Sequence, residues 1–296
     1  MRIGIDLGGT KIEAIALDGN RKLVRRRVLA PRGDYDATIR AVRDLVAGIE
    51  TELGSTGTVG VGIPGAISHV TGLVKNANST WLIGHAIDRD LERALERPVR
   101  VSNDANCFAL SEATDGAGAG ANTVFGVILG TGTGGGVVVN GRVLEGRHRI
   151  AGEWGHNPLP WPQDDERPGP QCYCGQTGCI ETFLSGPGLA ATFREITGRD
   201  ADAAEIARLA ESSDASAARA LDIYESRLAR ALASIINVLD PDVIVLGGGV
   251  SNIARLYERV PKLVKAFVFS DSADTPIVAA RHGDSSGVRG AAWLWP

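Results

Sequence analysis

The chain has 296 residues, enough for two domains of ordinary size or one large one. Hydrophobic residues make up 44% and charged residues 22%, which leaves room for a sizeable core. A formal net charge of −4 without a concentrated basic face argues against nucleic acid, and no segment approaches the roughly 20 apolar residues of a membrane span. The start, "MRIGIDLGGT", has too short an apolar run for a signal peptide, and Asp6 interrupts it. Three clustered thiols among four cysteines fit a reducing compartment and a metal better than disulfides, so the reading is a cytoplasmic protein.

Along the chain, "IGIDLGGTKIEAIALDGNRKL" reads as a strand, a glycine turn, a second strand, an Asp-Gly hairpin and a third strand. The basic run "RKLVRRR" in that third strand reads as a solvated edge or hairpin. Asp34 to Leu53 follows as a helix with Ile39, Val42, Val46, Ile49 and Leu53 on one face. "VGVGIPG" is a buried strand, Ile87 to Arg97 a helix stopped by Pro98, and "VRV" a strand leading into "SNDAN" and a further helix through Ala113.

The pattern then restarts. In "FGVILGTGTGGGVVVNGRVL" Gly126, Leu129 and Gly130 fall on Gly4, Leu7 and Gly8, and Asn140-Gly141 falls on Asp18-Gly19. Matching hairpin turns in register point to internal duplication. Later come a polar, Pro-rich stretch "WPQDDERPGPQ" read as an exposed loop, a long helix from Ala217 to Leu239 ended by Asp240-Pro241, the buried strand "VIVLGGG" and a terminal helix in "GVRGAAWLW". The expectation is an α/β protein of two similar β-β-β-α-β-α domains around a cleft.

Four motifs carry chemistry. "DLGGTK" joins two strands, so it is neither a Walker loop nor a dinucleotide fingerprint, whose phosphates sit at a helix N-terminus. Its glycine amides can still face a phosphate, Asp6 can hold Mg²⁺ through water, and Lys11 adds charge. A second such loop, Gly130 to Gly136, suits a nucleoside triphosphate. In "SNDAN", Asn103 and Asp104 read either as helix caps or as a site at the carboxyl end of a strand, where an Asp could take the proton of an attacking hydroxyl. Cys172, Cys174 and Cys179 need one histidine to complete a tetrahedral zinc set, and spacing leaves His85, His148 and His156 open; Cys107 reads as a core residue. "LGGGVSN" could pass an adenine or ribose along bare backbone.

"DLGGTK", "GIPG", "NDAN", "GTGTGGG", "EWGH" and "CYCGQTGCIE" together resemble the ROK family of sugar kinases, within the actin–hexokinase superfamily, over essentially the full length. "KNANSTWL", "AGEWGHNPLPW" and "HGDSSGVRGAAWLW" resemble its bacterial fructokinases and manno(fructo)kinases. The resemblance implies two actin-like (ribonuclease H-like) domains: 1–117, a larger 118–280 with the zinc site, and a C-terminal helix 281–296 returning to the first.

The resemblance also implies transfer of the ATP γ-phosphoryl group, with Mg²⁺, to a hexose 6-hydroxyl. Fructose is the first choice, with mannose, glucose or an N-acetylhexosamine as alternatives. Asp104 matches the catalytic base. Gly65, Asn78, Asn103, Asp104, Glu153, His156 and Glu181 match sugar-contacting positions. Asp6, Gly8, Gly9, Thr10 and Lys11 match the first phosphate loop, Gly130, Thr131, Gly132, Thr133 and Gly134 the second, and Gly247, Gly248 and Gly249 the adenosine region. His156 joins the three cysteines in the implied zinc set, and a homodimer is implied. Repressors of the family carry an N-terminal helix-turn-helix, for which a first strand at Ile3 leaves no room; a non-catalytic sugar-binding module is the remaining rival.

Overall fold

The computed structural model describes residues 1–296, the side chain of Asp284 excepted. Contacts divide the chain into two compact units: residues 1–120, 136–151 and 284–296 in the first, 121–135 and 152–283 in the second. The segment 136–151 thus joins the first unit, where the sequence places it in the second domain.

The elements run β1 (Arg2–Leu7), β2 (Lys11–Asp18), β3 (Arg21–Leu29), α1 (Tyr35–Leu53), β4 (Thr58–Ile63), β5 (Ala66–Ile67), β6 (Val74–Lys75), α2 (Ile87–Leu95), β7 (Val99–Asn103) and α3 (Asp104–Asp115). They continue β8 (Thr123–Leu129), β9 (Thr133–Val139), β10 (Arg142–Val143), α4 (Ile180–Leu184), α5 (Gly186–Thr197), α6 (Ala203–Glu211), α7 (Ala215–Leu239), β11 (Val243–Gly247), α8 (Leu256–Val264), β12 (Ile277–Ala279) and α9 (Ser286–Trp293).

One sheet has the order β3-β2-β1-β4-β7 and the other β10-β9-β8-β11-β12, the same arrangement twice. In the first, β1 pairs antiparallel with β2 and parallel with β4; in the second, β8 pairs parallel with β11. The duplicated hairpin is therefore legible in the topology. It differs in one respect: the third strand has nine residues in the first copy and two in the second.

In the first unit, Ile3, Ile5 and Leu7 of β1 join Val42, Val46 and Ile49 of α1 in one core, each fully or almost fully buried. Each such side chain contributes about 1.5–3 kcal/mol. The alternate positions of β1 and β4 hold Gly4 and Gly60. A Cβ there would meet the α9 carbonyls of Val288 and Ala291 at 2.1 and 1.9 Å, so bare backbone is what lets α9 lie on the sheet. Asp34 caps α1 by accepting from the Ala37 amide, and Gly54, at φ +60°, ends it.

In the second unit α7 buries Leu221, Tyr224, Leu228 and Leu232, and the Tyr224 hydroxyl donates to the Leu184 carbonyl at 2.8 Å. The stretch before Cys172 is not simply an exposed loop. Glu166 turns inward from it, 6% exposed, to meet two arginines of α7. No helix among the described residues is long and apolar enough to cross a membrane.

Candidate active site and metal centre

The first glycine loop closes where the Gly8 amide donates to the Lys11 carbonyl at 3.0 Å. Two interactions missed in the sequence shape it. Arg32, just beyond β3, donates from Nε to the Gly9 carbonyl and from Nη2 to Thr10 Oγ1, both at 2.8 Å. Glu13, 1% exposed, faces Asp6 across the β1–β2 ladder and is held by Arg25 and Arg27. Burial works to raise its pKa, but the two arginines win and lower it. The basic run on edge strand β3 is thus partly a counter-charge for a buried carboxylate, not only a solvated face.

Asp6 has the opposite fate. Burial, then the charges of Asp104 and Glu13, push its carboxyl up to about 7, against the pull of Lys11. A divalent cation beside this carboxylate would relieve that repulsion, so Asp6 suits a hard cation such as Mg²⁺.

At the β7–α3 junction the cap reading of Asn103 is realised. Its Oδ1 accepts from the Ala105 amide at 2.9 Å, and its Nδ2 donates to the Gly65 carbonyl at 3.0 Å. That second bond ties the exit of β4 to the start of α3. Asp104, the first residue of α3, is half-buried, and its Oδ1 accepts from the same Ala105 amide at 2.8 Å. Asn78 is exposed, next to buried Ser79. Cys107 is fully buried in α3 and its thiol is raised by burial, as a core residue's would be.

In the second unit, Gly130 and Thr131 line a pocket of about 710 Å³ together with Gly186, Pro187, Arg194 and Val250. That volume suits a small-molecule ligand of nucleotide size. Gly249 lines it as well, while Gly247 ends β11 and Gly248 makes the turn at φ +85°. The α5 residues and the neighbouring segment 200–204 escaped the sequence reading, because nothing in an ordinary amphipathic helix marks its first turn as a pocket wall.

The histidine left open by spacing is His156. His156, Cys172, Cys174 and Cys179 place one donor atom each within 4.8 Å of one another. His156 Nδ1 lies 3.6 Å from Cys172 Sγ, and Cys174 Sγ lies 3.6 Å from Cys179 Sγ. Bonds of about 2.3 Å to sulfur and about 2.0 Å to nitrogen give tetrahedral edges close to those separations, so the set could hold one Zn²⁺ ion. His85 instead stacks on Tyr35 at 3.7 Å, and His148 lies edge-on to His69 at 5.1 Å.

The other ring nitrogen, His156 Nε2, meets the Tyr173 hydroxyl at 3.0 Å. Glu181, in the first turn of α4, accepts from the Thr133 amide at 2.8 Å, and half-buried Glu153 precedes the turn Trp154–His156.

The sequence model of the ROK family matches residues 2–296. The chain is 41% identical over 301 residues to the N-acetyl-D-glucosamine kinase of Photobacterium profundum, covering 99% of each chain. The structure resembles a ROK hexokinase from Thermus thermophilus with TM-score 0.87 at 34% identity, covering 99% of this chain and 96% of that one. It also resembles a ROK family glucokinase from Streptomyces griseus, solved with glucose and AMPPNP, with TM-score 0.79 at 27% identity, covering 99% and 98%.

Proposed function

This chain belongs to the ROK family of sugar kinases, and from that premise we propose that it transfers the γ-phosphoryl group of ATP to the 6-hydroxyl of N-acetyl-D-glucosamine. The observation that carries the choice of sugar is the 41% identity, over nearly the whole of both chains, to a protein named for that activity. The sequence motifs favour fructose and keep N-acetylhexosamines as an alternative; the relatives move the preference to the amino sugar. Fructose, mannose and glucose stay as weaker substrates.

In the first unit, the Asp6–Lys11 loop receives phosphate oxygens on its amides and Asp104 accepts the proton from the attacking hydroxyl. Mg²⁺, when bound near Asp6, offsets charge on the phosphates. Gly65, Asn78 and Asn103 orient the sugar beside Asp104.

In the second unit, Gly130–Gly134 takes the phosphates and Gly247–Gly249 the adenosine, which the pocket of about 710 Å³ bounded by Gly130, Thr131 and Gly249 supports. Glu153, His156 and Glu181 pair with sugar hydroxyls, with a sugar oxygen replacing the Tyr173 hydroxyl on His156 Nε2. His156, Cys172, Cys174 and Cys179 hold Zn²⁺. With all four positions filled by protein, that ion is a brace and not a Lewis acid.

We further propose that the protein acts as a cytoplasmic homodimer. Incubation with Mg-ATP and N-acetyl-D-glucosamine, followed by ³¹P–¹H correlation NMR, is expected to show a phosphomonoester on carbon 6. Absence of any phosphorylated hexose, with a hexose panel supplied, overturns the proposal.

A further inference from the structure

Two segments that leave the His156/Cys172/Cys174/Cys179 cluster reach the second glycine loop. His156 ends the short turn Trp154–His156, and Trp154 begins it. The Trp154 indole Nε1–H donates to the Gly134 carbonyl at 3.0 Å. That ring is 2% exposed and stands edge-on to Phe125 of β8 at 5.6 Å, so its direction is fixed.

On the other side of the module, Cys179 is the N-cap of α4 and Glu181 lies in its first turn. The Glu181 carboxylate accepts from the Thr133 amide at 2.8 Å. It lies so close to the loop that a Cβ on Gly132 would meet Glu181 Oε2 at 2.7 Å. The two sides are laced together: the Ile180 amide donates to the Asn157 carbonyl at 2.8 Å and the Leu159 amide to the Gly178 carbonyl at 2.9 Å. The segment after α4 adds a third hold, from the Gly186 amide to the Gly130 carbonyl at 2.7 Å.

We propose that the His156/Cys172/Cys174/Cys179 module is the anchor of a two-armed clamp on the second glycine loop, with Trp154 and Glu181 as positioning residues that set nucleotide affinity. The inference rests on the proposed function, in that the loop Gly130–Gly134 takes the phosphates of ATP. Its physical basis is preorganisation: amides that must face a phosphate bind it better when the loop is already fixed.

Glu181 has two oxygens and, on this reading, two duties. Oε2 is committed to the loop amide, which leaves Oε1 for a sugar hydroxyl. A sugar on Oε1 restrains the carboxylate that restrains the loop, so sugar and nucleotide strengthen each other's binding by the same factor.

The test uses the full chain with its metal content measured. AMPPNP with Mg²⁺ is titrated by calorimetry, without sugar, into wild type, Trp154→Phe, Glu181→Gln and Glu181→Ala. Trp154→Phe keeps the ring but loses the donor, and is expected to weaken AMPPNP about three- to tenfold while leaving N-acetyl-D-glucosamine affinity unchanged. Glu181→Ala is expected to lose about tenfold or more, and Glu181→Gln to fall between, because an amide oxygen still accepts from Thr133.

AMPPNP bound equally by wild type and all three variants overturns the clamp. Equal losses of sugar and nucleotide affinity in Trp154→Phe also overturn it, since they show general loosening. A wild type that binds no AMPPNP contradicts the phosphotransfer reading itself. Should Trp154→Phe fail to fold, the near-isosteric Glu181→Gln carries the comparison on its own.

Discussion

The Glu166 carboxylate accepts from Arg230 Nη1 at 2.7 Å, and the same group receives Arg227 Nε at 2.8 Å. All three side chains are less than one-tenth exposed. A Pro-rich surface stretch is thereby tied to α7, on the path between His156 and Cys172. Glu166→Gln would leave two buried guanidinium groups uncompensated and is expected to cost about 3–5 kcal/mol. The pH dependence follows from the same pair. Burial works to raise the Glu166 pKa, but Arg230 and Arg227 hold it at about 2, below its ordinary 4.5. A depressed value means stability present above pH 4.5 and lost as pH falls toward 2. Urea midpoints of wild type and variant should therefore differ most near pH 6 and converge as pH falls toward 2. An unchanged midpoint at pH 6 would refute this role.

Asp6 is expected to trade stability for function. Its pKa is raised to about 7 from 3.8, so the native state binds the extra proton between those values. Stability then falls as pH rises through that window and is lowest above it. In metal-free buffer, Asp6→Asn should melt higher than wild type at pH 8 and equal to it near pH 4, while losing Mg-ATP turnover. A lower melting temperature for the variant at pH 8 would show that the buried charge is not a cost.

Much of this was legible in the sequence because it repeats. The glycine hairpins of "DLGGTK" and "GTGTGGG" occur at matching points of two sheets of identical order, and α1, predicted from Asp34, starts at Tyr35 with Asp34 as its cap. The His/Cys set was reached only through the family motif, since spacing left three histidines open. What stayed hidden were long-range partnerships. Arg25 and Arg27 on Glu13, and Glu166 on α7, involve stretches that read as solvent-facing in sequence, and Arg32 on the Gly9 carbonyl carried no signal there. Periodicity shows which face of a strand or helix is apolar, not which distant charge a buried carboxylate will find. The two-residue β10 was expected only because it follows the Asn140-Gly141 hairpin of the repeat, and the three-residue β12 is too short to leave a pattern.

Asp104→Asn keeps the shape of the α3 start, where Oδ1 caps the Ala105 amide, but cannot take a proton. Turnover is expected to drop by about 10²–10⁴, with the melting temperature and sugar affinity close to wild type. Near-normal turnover would remove Asp104 from the role of base.

Cys174 is an exposed member of the four-donor cluster. Cys174→Ser is expected to lower bound zinc below one equivalent by atomic emission and to lower both the melting temperature and sugar affinity. Purified wild-type protein without zinc, or a variant with unchanged melting and sugar affinity, would contradict the brace.

The choice of sugar is decided by a coupled ADP-release assay run at saturating Mg-ATP with N-acetyl-D-glucosamine, D-fructose, D-mannose and D-glucose. Turnover is expected, with the highest kcat/KM for N-acetyl-D-glucosamine. A higher kcat/KM for fructose would contradict the choice of amino sugar, and no turnover with any of the four would contradict sugar phosphorylation itself.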